Sequence, residues 1–197
     1  MQPLVKRLDQ ALEKYRGQSL WKIDLNEVSK KIGTEAWVQE VVLTRRFPSK
    51  LRVVIEPKEI KLLYLSRGGK LLPVVSDGSF LEAVESKVAP DVPLLVGENF
   101  ADKTELRKKS VEAVESIPLE GSFSRKSISE IQYDSKEGYW MTLIKSGIKV
   151  KMGEEQMALK GARVSQVIDY MDAHSFQARV IDANLSKKVL VRLRKDP

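Results

Sequence analysis

Apolar positions along the chain switch between two periods, and each switch marks an element. Leu4, Leu8, Leu12 and Tyr15 fall on one helical face, with Gly17 at its end. Leu25, Val28 and Ile32 repeat at helical spacing behind Asp24, a cap residue, and Glu27 sits where a capping box needs it. Gly33 stands where a left-handed C-cap is wanted. The period then changes. Trp37, Val38, Val41, Val42 and Leu43 form a β-rich run, Phe47-Pro48-Ser49-Lys50 is a turn, and Leu51, Val53 and Ile55 alternate with Arg52, Val54 and Glu56. The pattern predicts two helices and a hairpin, a small unit over residues 1–65.

Downstream, strands are predicted over 61–65 and 71–75, with Asp77-Gly78 as a hairpin turn and Phe80-Leu81 as the return. Asp102 and Glu105 mark the start of a helix carrying Leu106, Ser110, Ala113, Val114 and Ile117. Strands follow over 128–134, 139–144 and 148–152, then a helix over 155–173 with Met157, Val164, Val167, Ile168 and Met171 inward. Two strands, 177–182 and 188–193, close the chain. The span 119–129 reads as a mobile loop. Residues 66–197 are therefore expected to form a mostly antiparallel sheet with two helices, and the whole chain is of the α+β class.

Composition narrows the function. The 197 residues contain no Cys, which excludes a disulfide framework and a thiol nucleophile. The net charge of +7 is uneven: residues 1–65 hold 13 Lys/Arg against 8 Asp/Glu, and the remainder 21 against 19. A basic first unit fits phosphate neutralisation, anionic lipid head groups, or plain solubility charge. No apolar run reaches the roughly 20 residues of a spanning helix, and no secretory signal opens the chain.

Catalytic chemistry has little support. His174 is the only histidine and lies at a helix end beside Asp172, where it complements the helix dipole. On a helix Asp169 and Asp172 share a face that His174 does not, so they make a poor metal set. There is no Gly-x-Gly-x-x-Gly and no Walker loop, and Gly68-Gly69-Lys70 reads as a turn. Trp21, Trp37 and Trp140 read as core or hairpin packing rather than base-stacking platforms. No enzyme, cofactor or metal is expected.

Four motifs in order carry a resemblance. Trp37-Val38 followed by Arg45-Arg46-Phe47-Pro48-Ser49-Lys50-Leu51 and Glu56 resembles the POTRA domain of the FtsQ/DivIB bacterial cell-division proteins. Val92-Pro93-Leu94-Leu95-Val96-Gly97 resembles the family's Leu-Pro-x-Leu-x-Gly segment. The stretch from Tyr139-Trp140 to Met152-Gly153 resembles its Trp…Gly hairpin, and Val180-Ile181-Asp182 with Val189-Leu190-Val191-Arg192 its closing strand pair. The resemblance covers nearly the whole chain and favours the FtsQ type, since a long C-terminal tail is absent. It departs in three places. The first POTRA strand is missing, the family's Asp-Leu-Arg-Tyr is Asp182-Ala183-Asn184-Leu185, and the Gly expected in the last turn is Lys187 or Lys188.

The resemblance implies a non-enzymatic divisome scaffold in the bacterial inner membrane. This region would lie in the periplasm at the septum, anchored through a span that the sequence does not include. It implies partners of the FtsB/DivIC and FtsL type and no nucleic acid. The last strand is basic at its ends. As a sheet edge it either accepts a partner strand or is guarded by its own cations. The resemblance selects the first and implies a contact at Leu185, Ser186, Lys187, Lys188, Val189, Leu190, Val191, Arg192 and Leu193. Arg45, Arg46 and Phe47 are the candidate recruitment surface. The alternatives are a POTRA-containing outer-membrane assembly or secretion component, and a basic nucleic-acid-binding protein.

Overall fold

The computed structural model describes residues 8–10, 12–185 and 188–194. The chain divides between Glu59 and Ile60 into two compact units.

In the first unit, residues 8–10 and 12–13 are helical and helix α1 spans Leu25–Gly33. Asp24 caps α1, its carboxylate accepting from the backbone of Asn26 and Glu27 at 2.8 and 3.4 Å. The expected capping box closes on one side only. The Glu27 carboxylate instead accepts from Lys14 Nζ and Tyr15 Oη, at 2.9 and 3.0 Å. Gly33 is not the left-handed cap either. Thr34 ends the helix in right-handed conformation, its hydroxyl donating to Lys31 O at 2.7 Å. Strands β1 (Val38–Arg46) and β2 (Lys50–Pro57) pair antiparallel, with Val42 opposite Val54 and Arg46 opposite Lys50. Val41, Leu43, Val53 and Ile55 point into a core of Leu8, Ile23, Val28, Ile32 and Val38, with Leu12 and Tyr15 packed against it as expected. Leu4 lies outside the described residues.

The second unit is built on one eight-stranded sheet. Its strands are β3 (Leu62–Leu65), β4 (Leu71–Val74), β5 (Leu94–Val96), β6 (Ile128–Asp134), β7 (Gly138–Leu143), β8 (Lys149–Gly153), β9 (Ala178–Asp182) and β10 (Leu190–Leu193), in the order β10-β9-β8-β7-β6-β5-β3-β4. Four neighbouring pairs are antiparallel. The other three, β3/β5, β5/β6 and β8/β9, are parallel. Strand β3, expected to close the first unit, is hydrogen-bonded inside this sheet, and the division falls six residues before residue 65.

Parallel neighbours need crossovers. Helix α2 (Thr104–Glu115) lies between β5 and β6, and helix α3 (Met157–Ala173) between β8 and β9. Both bury apolar faces in a core that includes Leu62, Leu95, Phe100, Ile131, Met141, Val150, Val164 and Ile181. Asp102 does not cap α2. It ends a single helical turn, Asn99–Asp102, and Lys103 takes the N-cap position. The 119–129 span is fastened rather than loose: Phe123 is 1% exposed in the core, and Arg125 Nε donates to Ile117 O at 2.6 Å.

The two sheet edges differ. Beyond β4 the chain folds back, Leu81 N–H donating to Pro73 O at 2.8 Å and Val84 N–H to Leu71 O at 2.9 Å. Phe80 bridges Val74 antiparallel, so the return expected at Phe80-Leu81 follows the turn at Asp77-Gly78. Its bonds and a proline without an N–H close that side.

Arg107 of α2 organises this corner. It is 4% exposed, and its guanidinium donates to Gly78 O, Phe100 O, Ala101 O and Thr104 Oγ1 while lying 3.8 Å above the Phe80 ring. Gly78 permits this approach: at φ +79° a Cβ there would sit 2.5 Å from Thr104 O. Replacing Arg107 by Ala leaves three carbonyls without their donor in a dry site. The predicted cost is about 3 kcal/mol or more, to be read from urea unfolding of the variant; a loss under about 0.5 kcal/mol would show these bonds to be surface-like.

Candidate partner-binding edge

Strand β10 forms the other end of the sheet. It pairs antiparallel with β9, Leu190 opposite Asp182, Val191 opposite Ile181 and Arg192 opposite Val180. Among the described residues nothing pairs with its far side. The register slip lies on β9, so β10 alternates without a break. Arg194 N–H donates to Gln177 O at 2.8 Å. By alternation, the backbone groups of Arg192 and Leu190 also face β9, and those of Val191 and Leu193 face outward.

The side chains divide in the same way. Val189 and Val191 pack against the core on the α3 side. Together with Leu193, Val167, Tyr170, Met171 and Phe176 they line a groove of about 610 Å³. On the opposite face Arg192 joins Arg179 and Arg194 around a second hollow of about 610 Å³. Leu190 and Leu193 are 51% and 52% exposed. The edge thus offers outward backbone groups, an apolar groove on one face and three guanidinium groups on the other. Of the residues expected at this contact, Leu185, Lys188, Val189, Leu190, Val191, Arg192 and Leu193 are described. Ser186 and Lys187 lie outside the described residues.

A buried cation that the sequence reading missed fixes where this edge begins. Lys160 of α3 is 6% exposed, and its ammonium donates to Met152 O at 2.8 Å and to Asn184 Oδ1 at 3.0 Å. Asn184 in turn donates its N–H to Asp182 Oδ1 at 2.9 Å, and Ala183 N–H extends the β8 pairing to Lys151 O. The departure at Asp182-Ala183-Asn184 therefore has a structural use. Asn184 supplies the acceptor that a buried ammonium requires. Lys160 sits amid the apolar stripe of α3, the one signal that could have revealed it.

The other candidates fall elsewhere. Arg45 points inward: its Nε donates to Leu20 O at 3.0 Å and its Nη2 to Ile23 O at 2.7 Å, so it holds the loop before α1 and is not a free recruitment residue. Arg46 is exposed and Phe47 is 71% exposed. The His174 Nδ1–H donates to Tyr170 O, 2.8 Å away, and its ring centroid lies 4.1 Å from that of Tyr170 and 5.9 Å from that of Phe176. Asp169 accepts from Ser122 Oγ. Among the described residues no group of three His, Cys, Asp or Glu side chains could hold a metal ion, and no helix is long and apolar enough to cross a membrane.

The chain thus joins a small α/β unit to a mostly antiparallel sheet whose β10 edge is unpaired among the described residues. Comparison with known proteins identifies both parts. Residues 6–56 match the POTRA domain of FtsQ type, and residues 63–184 match the C-terminal domain of cell division protein FtsQ/DivIB. The chain is 25% identical over 190 residues to a "Cell division protein FtsQ" of Geobacter sp. (strain M21), covering 89% of this chain and 66% of that protein. It is 26% identical over 176 residues to the protein of that name in Myxococcus fulvus (84% and 60% covered) and 28% over 102 residues to a "Cell division protein DivIB" of Solibacillus silvestris (52% and 34% covered). The chain belongs to the FtsQ/DivIB family of non-enzymatic cell-division proteins. It spans less than two thirds of the length of these relatives. The domain match ends at Asn184, before β10.

Burial holds the Lys160 ammonium below its ordinary value, opposed in part by Glu155 and Asp182. With the folded value depressed, the charged form weakens the fold at neutral pH. Stability is then regained as pH rises through the folded value towards 10.5. Replacing Lys160 by Met is predicted to remove this alkaline gain, seen as the difference between the two chains' urea midpoints across pH. Identical pH profiles would refute it.

Proposed function

We propose that this chain is the extracytoplasmic part of a bitopic division scaffold, with residues 1–59 as its POTRA region and 60–197 as its β domain. In this reading the full-length protein is held in the inner membrane at the septum. It grips an FtsB/DivIC-type protein, itself paired with an FtsL-type protein, by strand addition at β10.

The observation that carries the reading is the open edge. The outward backbone groups of Val191 and Leu193 supply a main-chain ladder, which gives affinity. The Val189–Val191–Leu193 groove takes apolar side chains from one face of the incoming strand. Arg179, Arg192 and Arg194 favour carboxylates on the other face, which gives selectivity.

The test is calorimetric titration of the chain with a peptide from the C-terminal region of its FtsB/DivIC homologue. Val191→Pro removes an outward N–H and leaves the β9 ladder in place. The predicted loss is about tenfold or more in affinity, about 1.4 kcal/mol, in a variant with unchanged circular dichroism. Arg192→Glu is predicted to weaken binding most at low salt. Full affinity in the proline variant would place the contact elsewhere.

A further inference from the structure

The hairpin of the first unit carries an exposed aromatic pair that its fold does not need. Trp21 and Phe47 are each 71% exposed, and their ring centroids are 5.5 Å apart. Trp21 reaches this position because Arg45 ties the loop to the hairpin by its two bonds to Leu20 O and Ile23 O. An indole left this bare in water is unfavourable, yet the clamp holds it at the surface instead of against the core.

The hairpin arms on either side of Phe47 carry charge of one sign. Residues 41–55 contain Arg45, Arg46, Lys50 and Arg52 and no carboxylate, and Lys22 follows Trp21. Arg46 and Lys50 face each other on the last rung before the turn, and Arg52 lies opposite Thr44 on the same outward face. Nearest along the two strands are Glu40 and Glu56, paired at the far end of the hairpin. Aromatic rings beside clustered cations match the bilayer interface, where rings settle at head-group depth and cations meet anionic lipid.

We propose that the Trp21–Phe47 hairpin tip docks on an anionic bilayer surface, the rings entering the interface and Lys22, Arg46, Lys50 and Arg52 meeting lipid phosphates. This goes beyond the strand-addition reading and does not depend on it. A protein partner would also fit exposed aromatics. The hairpin's run of cations, with no carboxylate over residues 41–55, favours the lipid surface.

The test is co-sedimentation of the 197-residue chain with vesicles of phosphatidylglycerol and phosphatidylcholine, and with vesicles of phosphatidylcholine alone. The expected result is partition onto the anionic vesicles only, weakening as salt is raised. The double variant Trp21→Ala/Phe47→Ala should lose about tenfold or more of that partition. Both side chains are surface-exposed, so the fold should survive, as circular dichroism would check. Lys50→Glu should weaken partition while leaving the aromatic pair intact. Brominated lipid should quench tryptophan emission in the intact chain and less in Trp21→Phe, which keeps a ring but removes that indole. Equal partition by the double variant, or by neutral vesicles, overturns the proposal. So does retained binding that Arg192→Glu abolishes, which would move the contact to β10. An intact chain that ignores vesicles, with a double variant that loses a protein partner, would reassign the tip to protein docking.

Discussion

One buried ammonium holds the C-terminal third of the sheet in register. A parallel pair such as β8 and β9 cannot be joined by a turn, so α3 must leave the sheet and return to it. Lys160 ties that helix to the ends of the two strands it joins, to Met152 near the end of β8 and to Asn184 just beyond the end of β9. A charge placed so deeply is unfavourable unless its donors are met. The arrangement is selective for that reason: other placements of the 182–185 segment would strand the ammonium. Strand β10 starts from that fixed point.

The same device recurs. Arg107 gathers the carbonyls of Gly78, Phe100 and Ala101, and Arg45 those of Leu20 and Ile23. In each case a cation satisfies backbone acceptors where the chain is irregular and no ladder can. Part of the basic excess is thus internal scaffolding. Net charge alone does not separate those cations from the ones left on the surface at Arg46, Lys50 and Arg192.

The periodicity of the sequence revealed the elements well where an apolar stripe met a single partner. The face of α3, the Val41/Leu43 and Val53/Ile55 pair, and the strands from 128 to 152 follow from local pattern, because burial on one side imposes it. Helix ends were read less well. Glu27 was drawn away by Lys14 and Tyr15, and Asp102 was consumed by a preceding turn, both competitions between groups that a capping rule treats in isolation. The place of β3 was hidden for a different reason. A four-residue apolar strand carries no mark of which sheet it joins. At the candidate edge the sequence showed which residues lie on the last strand. It did not show which backbone groups face outward, since that depends on the register with β9.

The unequal edges of the large sheet set a limit on assembly. The β4 side is sealed by its own returning chain, so the sheet cannot grow there. A strand arriving at β10 finds one berth, and a second copy of this chain brings only the same single edge, so two copies joined there would leave no further edge to extend. Strand addition at β10, as proposed, would end in a discrete complex rather than a fibre.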